Sequence, residues 1–404
     1  MGRQQPGSQL LVGGREPAPV AVRLLGGRVV ERAPQLDRQP GERVLDLGGR
    51  FLRHGLVDAH AHVVEWARAR HEVDLSSARS AVGAAELVRA AHRAAPAGAV
   101  LRGAGFRDAG WPDAPAAALL DAAAPDRVVV LRSMDMHTAW LSSAALMRCG
   151  LAAHPTGLLR EHEAWDALGR LPAPAEEEDD EAVSGALCAA HARGLTAVRD
   201  FSFERAHDMW RLRQERNDGR LPLRVTAVVQ PAQLPFFVER GLRSGDGDDF
   251  LRVGPLKLFV DGALGARTAR CLTPYAGGTE YGRMLLDPDA LDVALAEAGR
   301  AGFMVAVHAI GDEATRDALR ALQASAVRGS IEHAQLLRHE DLGLFAAAGV
   351  TASIQPAHLL DDAPLVDDLW RHSGSVAYAV RSLIDAGADV RFGSDAPVSP
   401  LDPG

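Results

Sequence analysis

Eight short runs of apolar, β-prone residues recur along the chain, at positions 56–62, 196–201, 223–229, 255–260, 303–308, 330–333, 350–355 and 390–395. Near-continuous apolar runs of this length are the signature of strands covered on both faces. Several follow segments rich in Ala, Leu and Arg, at 289–300, 313–324 and 340–348, with Gly302, Gly349 and Gly387 at helix-stop positions. Strands that alternate with helices predict a parallel sheet. Eight of them predict an α/β fold, a closed (β/α)₈ TIM-like barrel, in which chemistry sits at the C-terminal ends of the strands.

Two segments fall outside that alternation. Residues 1–54 hold shorter apolar runs, at 20–25 and 43–47, broken by Gly and Pro, and predict a few strands of a small N-terminal β element. Residues 65–193 separate the first barrel strand from the second, which exceeds any ordinary loop, and predict a large inserted subdomain with strands near 99–102 and 127–132. The barrel itself then comprises residues 55–64 and 194–404. The acidic stretch 176–181, after the Pro-rich 171–174, reads as the solvated start of a helix ending near Gly194, where negative charge complements the macrodipole.

Composition narrows the function classes. A length of 404 residues with 47% hydrophobic content supports a sizeable core, and a net charge of −9 gives no broad positive field. Nucleic acid and anionic membrane are therefore poor partners, and a small-molecule substrate fits better. Cys149, Cys188 and Cys271 are an odd, scattered set without a CxxC pair, which points to a reducing, cytoplasmic compartment rather than to disulfides or a thiolate site. No run approaches the roughly 18 apolar residues of a membrane span, and the first residues lack a secretory pattern.

The polar residues that close the apolar runs carry the chemistry. Asp58-Ala-His60-Ala-His62 places two imidazoles at i and i+2, on one face of a strand. His308 closes the run at 303–308, His333 follows Ile331-Glu332, and Asp395 ends Val390-Arg-Phe-Gly-Ser394. Lys257 sits inside Pro255-Leu-Lys-Leu-Phe-Val260, where an unpaired ammonium is expensive. It is also the single lysine among 44 basic residues. Arginine stays protonated, whereas a buried lysine can become a neutral nucleophile, so this position asks for something arginine cannot do. Imidazoles and a carboxylate gathered at strand ends suit zinc or a similar divalent ion. No GxSxG elbow, Walker loop or strand-linked GxGxxG competes with this pattern. Asp246-Gly-Asp-Asp249 lacks the spacing of a calcium loop and reads as a surface turn.

These motifs resemble the amidohydrolase superfamily, and within it the family that includes N-substituted formamide deformylases. The resemblance covers nearly the whole chain, through Gly55-Leu-Val-Asp-Ala-His-Ala-His62, Lys257-Leu-Phe-Val-Asp-Gly262, Val307-His-Ala-Ile-Gly-Asp312, Ile331-Glu-His-Ala-Gln335 and Phe392-Gly-Ser-Asp-Ala-Pro-Val398. It implies a binuclear centre of two divalent ions in which Lys257 takes up carbon dioxide as a carbamate and bridges them. His60, His62 and Asp395 would then hold one ion and His308 and His333 the other, with Asp395 as the catalytic base of a hydrolase acting on a non-peptide C–N bond. The inserted Ser133-Met-Asp-Met-His-Thr-Ala-Trp140 also resembles a family segment, which makes Asp135, His137 and Trp140 candidate substrate contacts.

Three departures accompany the resemblance. The resemblance implies that the N-terminal strands are part of a β-sandwich. Relatives continue past the equivalent of Leu401-Asp-Pro-Gly404 with elements that complete this N-terminal β-sandwich, so the sandwich is expected to be incomplete here and exposed apolar surface to favour poor stability or a homo-oligomer. Leu52-Arg-His-Gly55 replaces a more usual Pro-Gly, and Met136 stands where glycine is common. Two rival readings follow: a metal-binding remnant without turnover, and a mononuclear deaminase.

Overall fold

The computed structural model describes residues 8–96, 98–172, 176–203 and 206–401. Residues 173–175 of the Pro-rich stretch and 402–404 of the C-terminal tetrapeptide lie outside them. Two compact units divide the chain, Met1–Gly55 and Leu56–Gly404. The first carries a four-stranded sheet built from Gln9–Glu16, Ala18–Leu25, Arg28–Ala33 and Arg43–Asp46. Among the described residues it is a single sheet.

The second unit holds an eight-stranded, all-parallel sheet whose strands follow chain order: Leu56–Ala61, Leu195–Asp200, Arg224–Val229, Leu251–Phe259, Val305–Ala309, Gly329–His333, Thr351–Ile354 and Val390–Phe392. Each expected apolar run is one of these strands. The helices Pro288–Arg300 and Asp312–Ser325 return the chain between neighbouring strands, and Gly302, Gly349 and Gly387 all adopt left-handed φ. The main core packs strand residues such as Val305, Val307 and Ile331 against Leu291, Leu295, Leu319 and Leu322 of those helices. The Asp246–Asp249 segment is a turn, with Asp248 Oδ1 accepting from the backbone N–H of Phe250 and Leu251.

Residues between the first and second barrel strands form a five-stranded sheet of their own. Its strands are Val73–Asp74, Leu101–Phe106, Val129–Ser133, Thr138–Leu141 and Leu158–Arg160, again adjacent in chain order. The helix Glu176–Ala192, which opens on the acidic stretch, leads back to the barrel. Among the described residues, no helix is long and apolar enough to cross a membrane.

The barrel is drawn together between its first and last strands. Asp58 Oδ1 accepts from the backbone N–H of both His60 and Ser394, at 3.0 Å each, and Asp58 Oδ2 accepts from Ser394 Oγ at 2.6 Å. Asp395 N donates to His60 O at 2.6 Å, and His62 N to Ala396 O at 2.8 Å. This approach needs a residue without a side chain at 393, because a Cβ there would meet His60 N at 2.5 Å and His60 Cβ at 2.8 Å. Gly393→Ala is therefore expected to destabilise the protein by about 1–3 kcal/mol, the usual penalty for overpacking. Gly185→Ala, on an exposed helical position with open space around it, should be neutral or gain up to about 1 kcal/mol. Urea unfolding of the two variants checks the pair, and equal effects would show that closure does not depend on Gly393.

Candidate metal centre

Of the six residues singled out at strand ends, His62, Lys257, His308, His333 and Asp395 line one cavity, and His60 packs against three of them, His62, His333 and Asp395. His60, near the C-terminal end of the first strand, is fully buried, and Lys257, His308, His333, His62 and Asp395 are each at most 5% exposed. His60 Nδ1 meets Glu332 Oε2 at 2.7 Å, so the carboxylate fixes the ring and leaves Nε2 to face Asp395 Oδ1 at 3.4 Å. His62 Nε2 lies 3.2 Å from the same oxygen. His333 Nδ1 pairs with Gln355 Oε1 at 2.8 Å, and His308 Nε2 with Gly262 O at 3.2 Å. The His308 and His333 rings are 4.5 Å apart, and those of His60 and His333 5.0 Å.

Backbone strain makes this convergence geometrically possible. Neighbouring strand residues face opposite ways, yet Glu332 and His333 both reach His60. The strand ends at His333 with φ +75°, which turns its side chain back into the cavity. Asp395 likewise has φ +56°, three residues beyond the last strand residue. Such left-handed conformations in residues other than glycine cost of order 1 kcal/mol or more and persist where the surroundings impose them.

Burial also sets the charge states. It pushes His60 down to about 4 against the pull of Asp395 and Glu332, and holds His308 and His333 well below the usual imidazole range. Neutral imidazoles are the form that binds metal. Burial alone would raise Asp395, but His60, His62 and His358 outweigh it and hold the carboxyl well below its ordinary range. Arg199 and His60 do the same for Glu332. Burial lowers Lys257 to about 8 although Glu332 and Asp395 resist. The Lys257 ammonium has no hydrogen bond or ion pair among the described residues and lies over the faces of Phe259 and Phe201, at 4.5 and 4.8 Å.

Donor atoms of His60, His333 and Asp395 all lie within 4.8 Å of one another, close enough to share one ion. This groups His333 with His60, whereas the resemblance paired it with His308. His60 Nε2 and Asp395 Oδ1 are buried without a hydrogen-bond partner, as are His62 Nδ1 and His358 Nε2. Orphaned buried donors and acceptors are costly, and several around one point fit a site built for a cation.

A cavity opens over this group, walled by Phe203, Phe259, Leu264 and Met136 and reached by Asp135 and His137. Trp140 does not reach it. Its ring is fully buried in the insertion's apolar core, against Phe106 and Trp111, so the expectation of a substrate contact is corrected for this residue. Sequence reasoning passed over Glu332, Gln355 and His358. Glu332 stands beside His333 in a quoted motif, which was a usable signal, but Gln355 and His358 follow the seventh strand without any motif. His358 Nε2 lies 3.6 Å from Asp395 Oδ2.

The chain is similar to known proteins along most of its length. YtcJ of Bacillus subtilis (strain 168) is 28% identical over 401 residues, covering 92% of this chain and 75% of that protein. The N-substituted formamide deformylase of Arthrobacter pascens is 26% identical over 439 residues, covering 95% of this chain and 78% of the enzyme. The crystal structure of an uncharacterized metal-dependent hydrolase from Pyrococcus horikoshii OT3 shares the fold, with a TM-score of 0.79 at 24% identity over 98% of this chain and 84% of that one. The model of the amidohydrolase family matches residues 43–404, the whole second unit and the end of the first, and the chain belongs to that family.

Proposed function

We propose that this protein is a metal-dependent hydrolase that cleaves a non-peptide carbon–nitrogen bond of a small molecule, an amide or formamide. The observation that carries the reading is the orphaned pair His60 Nε2 and Asp395 Oδ1, buried side by side beneath the cavity. The Arthrobacter pascens relative acts on N-substituted formamides by name, which supports the substrate class. His60, His62 and Asp395 would hold one divalent ion and His308 and His333 a second, with Lys257 as a bridging carbamate; the nitrogen and oxygen donors suit zinc. Bound there, such ions supply Lewis acidity and a water acidified toward neutral pH.

The chain's own groups do the rest. Asp395, held ionised, takes the proton of the attacking water and returns it to the leaving nitrogen as the carbon–nitrogen bond breaks. Glu332 and Gln355 keep His60 and His333 oriented. Phe203, Phe259 and Leu264 limit bulk water around the reacting group. A mononuclear deaminase is the second reading, favoured by the fact that His60, His333 and Asp395 are the group that, among the described residues, converges within one ion's reach.

Metal analysis of wild type and Lys257→Ala, with a hydrolysis screen over N-acyl amines and formamides, tests the proposal. The wild type should carry about two ions per chain and release amine, and Lys257→Ala should lose more than ~100-fold in turnover, beyond the loss typical of outer-shell changes. Protein purified without chelator yet devoid of metal would sink it, and one ion per chain would favour the second reading.

Lys257 also predicts a pH dependence of stability in metal-free protein. Its folded value near 8 lies below the ordinary 10.5, so the folded state binds fewer protons between those values. The cost of burying the ammonium is absent above about 10.5, grows as pH falls, and is complete below about 8. Lys257→Met removes that cost, so its stability advantage over wild type should rise from little at pH 10.5 to ~3 kcal/mol at pH 7. Urea unfolding across this range checks it, and a constant difference would contradict it.

A further inference from the structure

A buried hydrogen-bonded chain runs from the insertion into the barrel, and the mechanism above leaves it unused. His137 lies between the insertion strands Val129–Ser133 and Thr138–Leu141, only 7% exposed. Its Nδ1 meets Glu161 Oε2 at 2.7 Å. Glu161 is 1% exposed, and its other oxygen accepts from Thr268 Oγ1, in the loop after the fourth barrel strand. Gly262 lets that carboxylate pass: a Cβ there would meet Thr268 Oγ1 at 2.1 Å and Glu161 Oε1 at 2.3 Å.

The arrangement is held at a cost. Glu161 has φ 53° and ψ −132°, a region close to glycine's exclusive territory, and Met136, the residue before His137, has φ 61°. A salt-bridged histidine that only tied the insertion to the barrel would need neither strained residue nor a cavity beside it. Instead the His137 ring lines the cavity, 5.2 Å from the His308 ring and 6.3 Å from Phe259. With Nδ1 committed to Glu161, Nε2 has no hydrogen-bond partner among the described residues and is left for the cavity.

We propose that His137 is a catalytic residue that donates a hydrogen bond from Nε2 to the oxygen of the scissile carbonyl, and that Glu161 is the positioning residue that holds its ring. The insertion then supplies part of the reacting site. As water adds to the carbonyl carbon, the new C–O bond forms and the carbonyl π pair moves onto oxygen, where a fixed donor is worth most. The proton on Nε2 need not leave. The inference rests on the hydrolase reading above and adds to it a group from outside the barrel.

The test uses metal-loaded enzyme and whichever amide or formamide the wild type hydrolyses. His137→Ala should lower kcat by ~10²-fold, the loss typical of one oxyanion donor, with KM little changed and metal content intact. His137→Gln, whose amide can donate, should recover part of the loss. Glu161→Gln should lower kcat less than His137→Ala does and shift the His137 Nδ1 proton in long-range ¹H–¹⁵N imidazole spectra, a readout that a role confined to packing would leave alone. If His137→Ala misfolds, Glu161→Gln decides the matter, and unchanged kcat with an unchanged imidazole spectrum overturns the proposal. A folded, metal-loaded His137→Ala with wild-type kcat overturns it as well while leaving the hydrolase reading standing. A wild type inert across the panel sinks that reading first, and this proposal with it.

Discussion

The structure depends on how the first barrel strand meets the last. Asp58 receives three hydrogen bonds there, and two backbone bonds, Asp395 N to His60 O and His62 N to Ala396 O, interleave the ends of the strands. The same residues that close the sheet carry the side chains that meet in the cavity. His60 and Asp395 thus approach to 3.4 Å because their backbones are bonded, and neither can be re-aimed alone. A slip of one residue in this pairing would send His60 and His62 to the helix-covered face and the alanines between them into the cavity.

Electrostatics follows from the same closure. Burial on this scale removes protons from His60, His308 and His333, while the carboxylates of Asp395 and Glu332 stay ionised because cationic and imidazole groups surround them. Arg199, 3.4 Å from Glu332 Oε1, answers one of those two negative charges. Lys257 is then a cation among aromatic faces with no carboxylate bonded to it. Neutral imidazoles, an unsatisfied carboxylate oxygen and a lysine near its neutral form are an assembly that gains from a bound cation more than from any rearrangement of its own.

Much of this was legible in the sequence, for identifiable reasons. The eight strands announced themselves because a parallel sheet under helices must be apolar on both faces, so each strand is a continuous run. The polar residues at 60, 62, 257, 308, 333 and 395 stood out against that background. What the runs could not give was the pairing of side chains. That His333 lies beside His60 follows from a left-handed residue at the end of its strand, which alternation does not foresee. Gln355 and His358 come from the loop and helix after the seventh strand, where no apolar run frames them. Trp140 misled because its motif neighbours face the cavity while it sits on a strand buried on both sides.

Met136 shows how one departure from a family pattern acquires a physical meaning. Its backbone has φ +61°, a conformation that glycine takes freely and a side chain takes under strain. The methionine side chain that accepts the strain is 8% exposed and lines the cavity over the candidate metal centre together with Phe203. The same two residues also line a second cavity, bordered by Arg68, Arg102, Arg132 and Trp165. Met136 and Phe203 therefore stand in the wall between the two spaces. A glycine at 136 would thin that wall, so this single position couples the turn that presents His137 to the separation of the two spaces. Methionine is suited to the place because its flexible thioether fills an irregular gap that a branched side chain, already disfavoured at positive φ, could not.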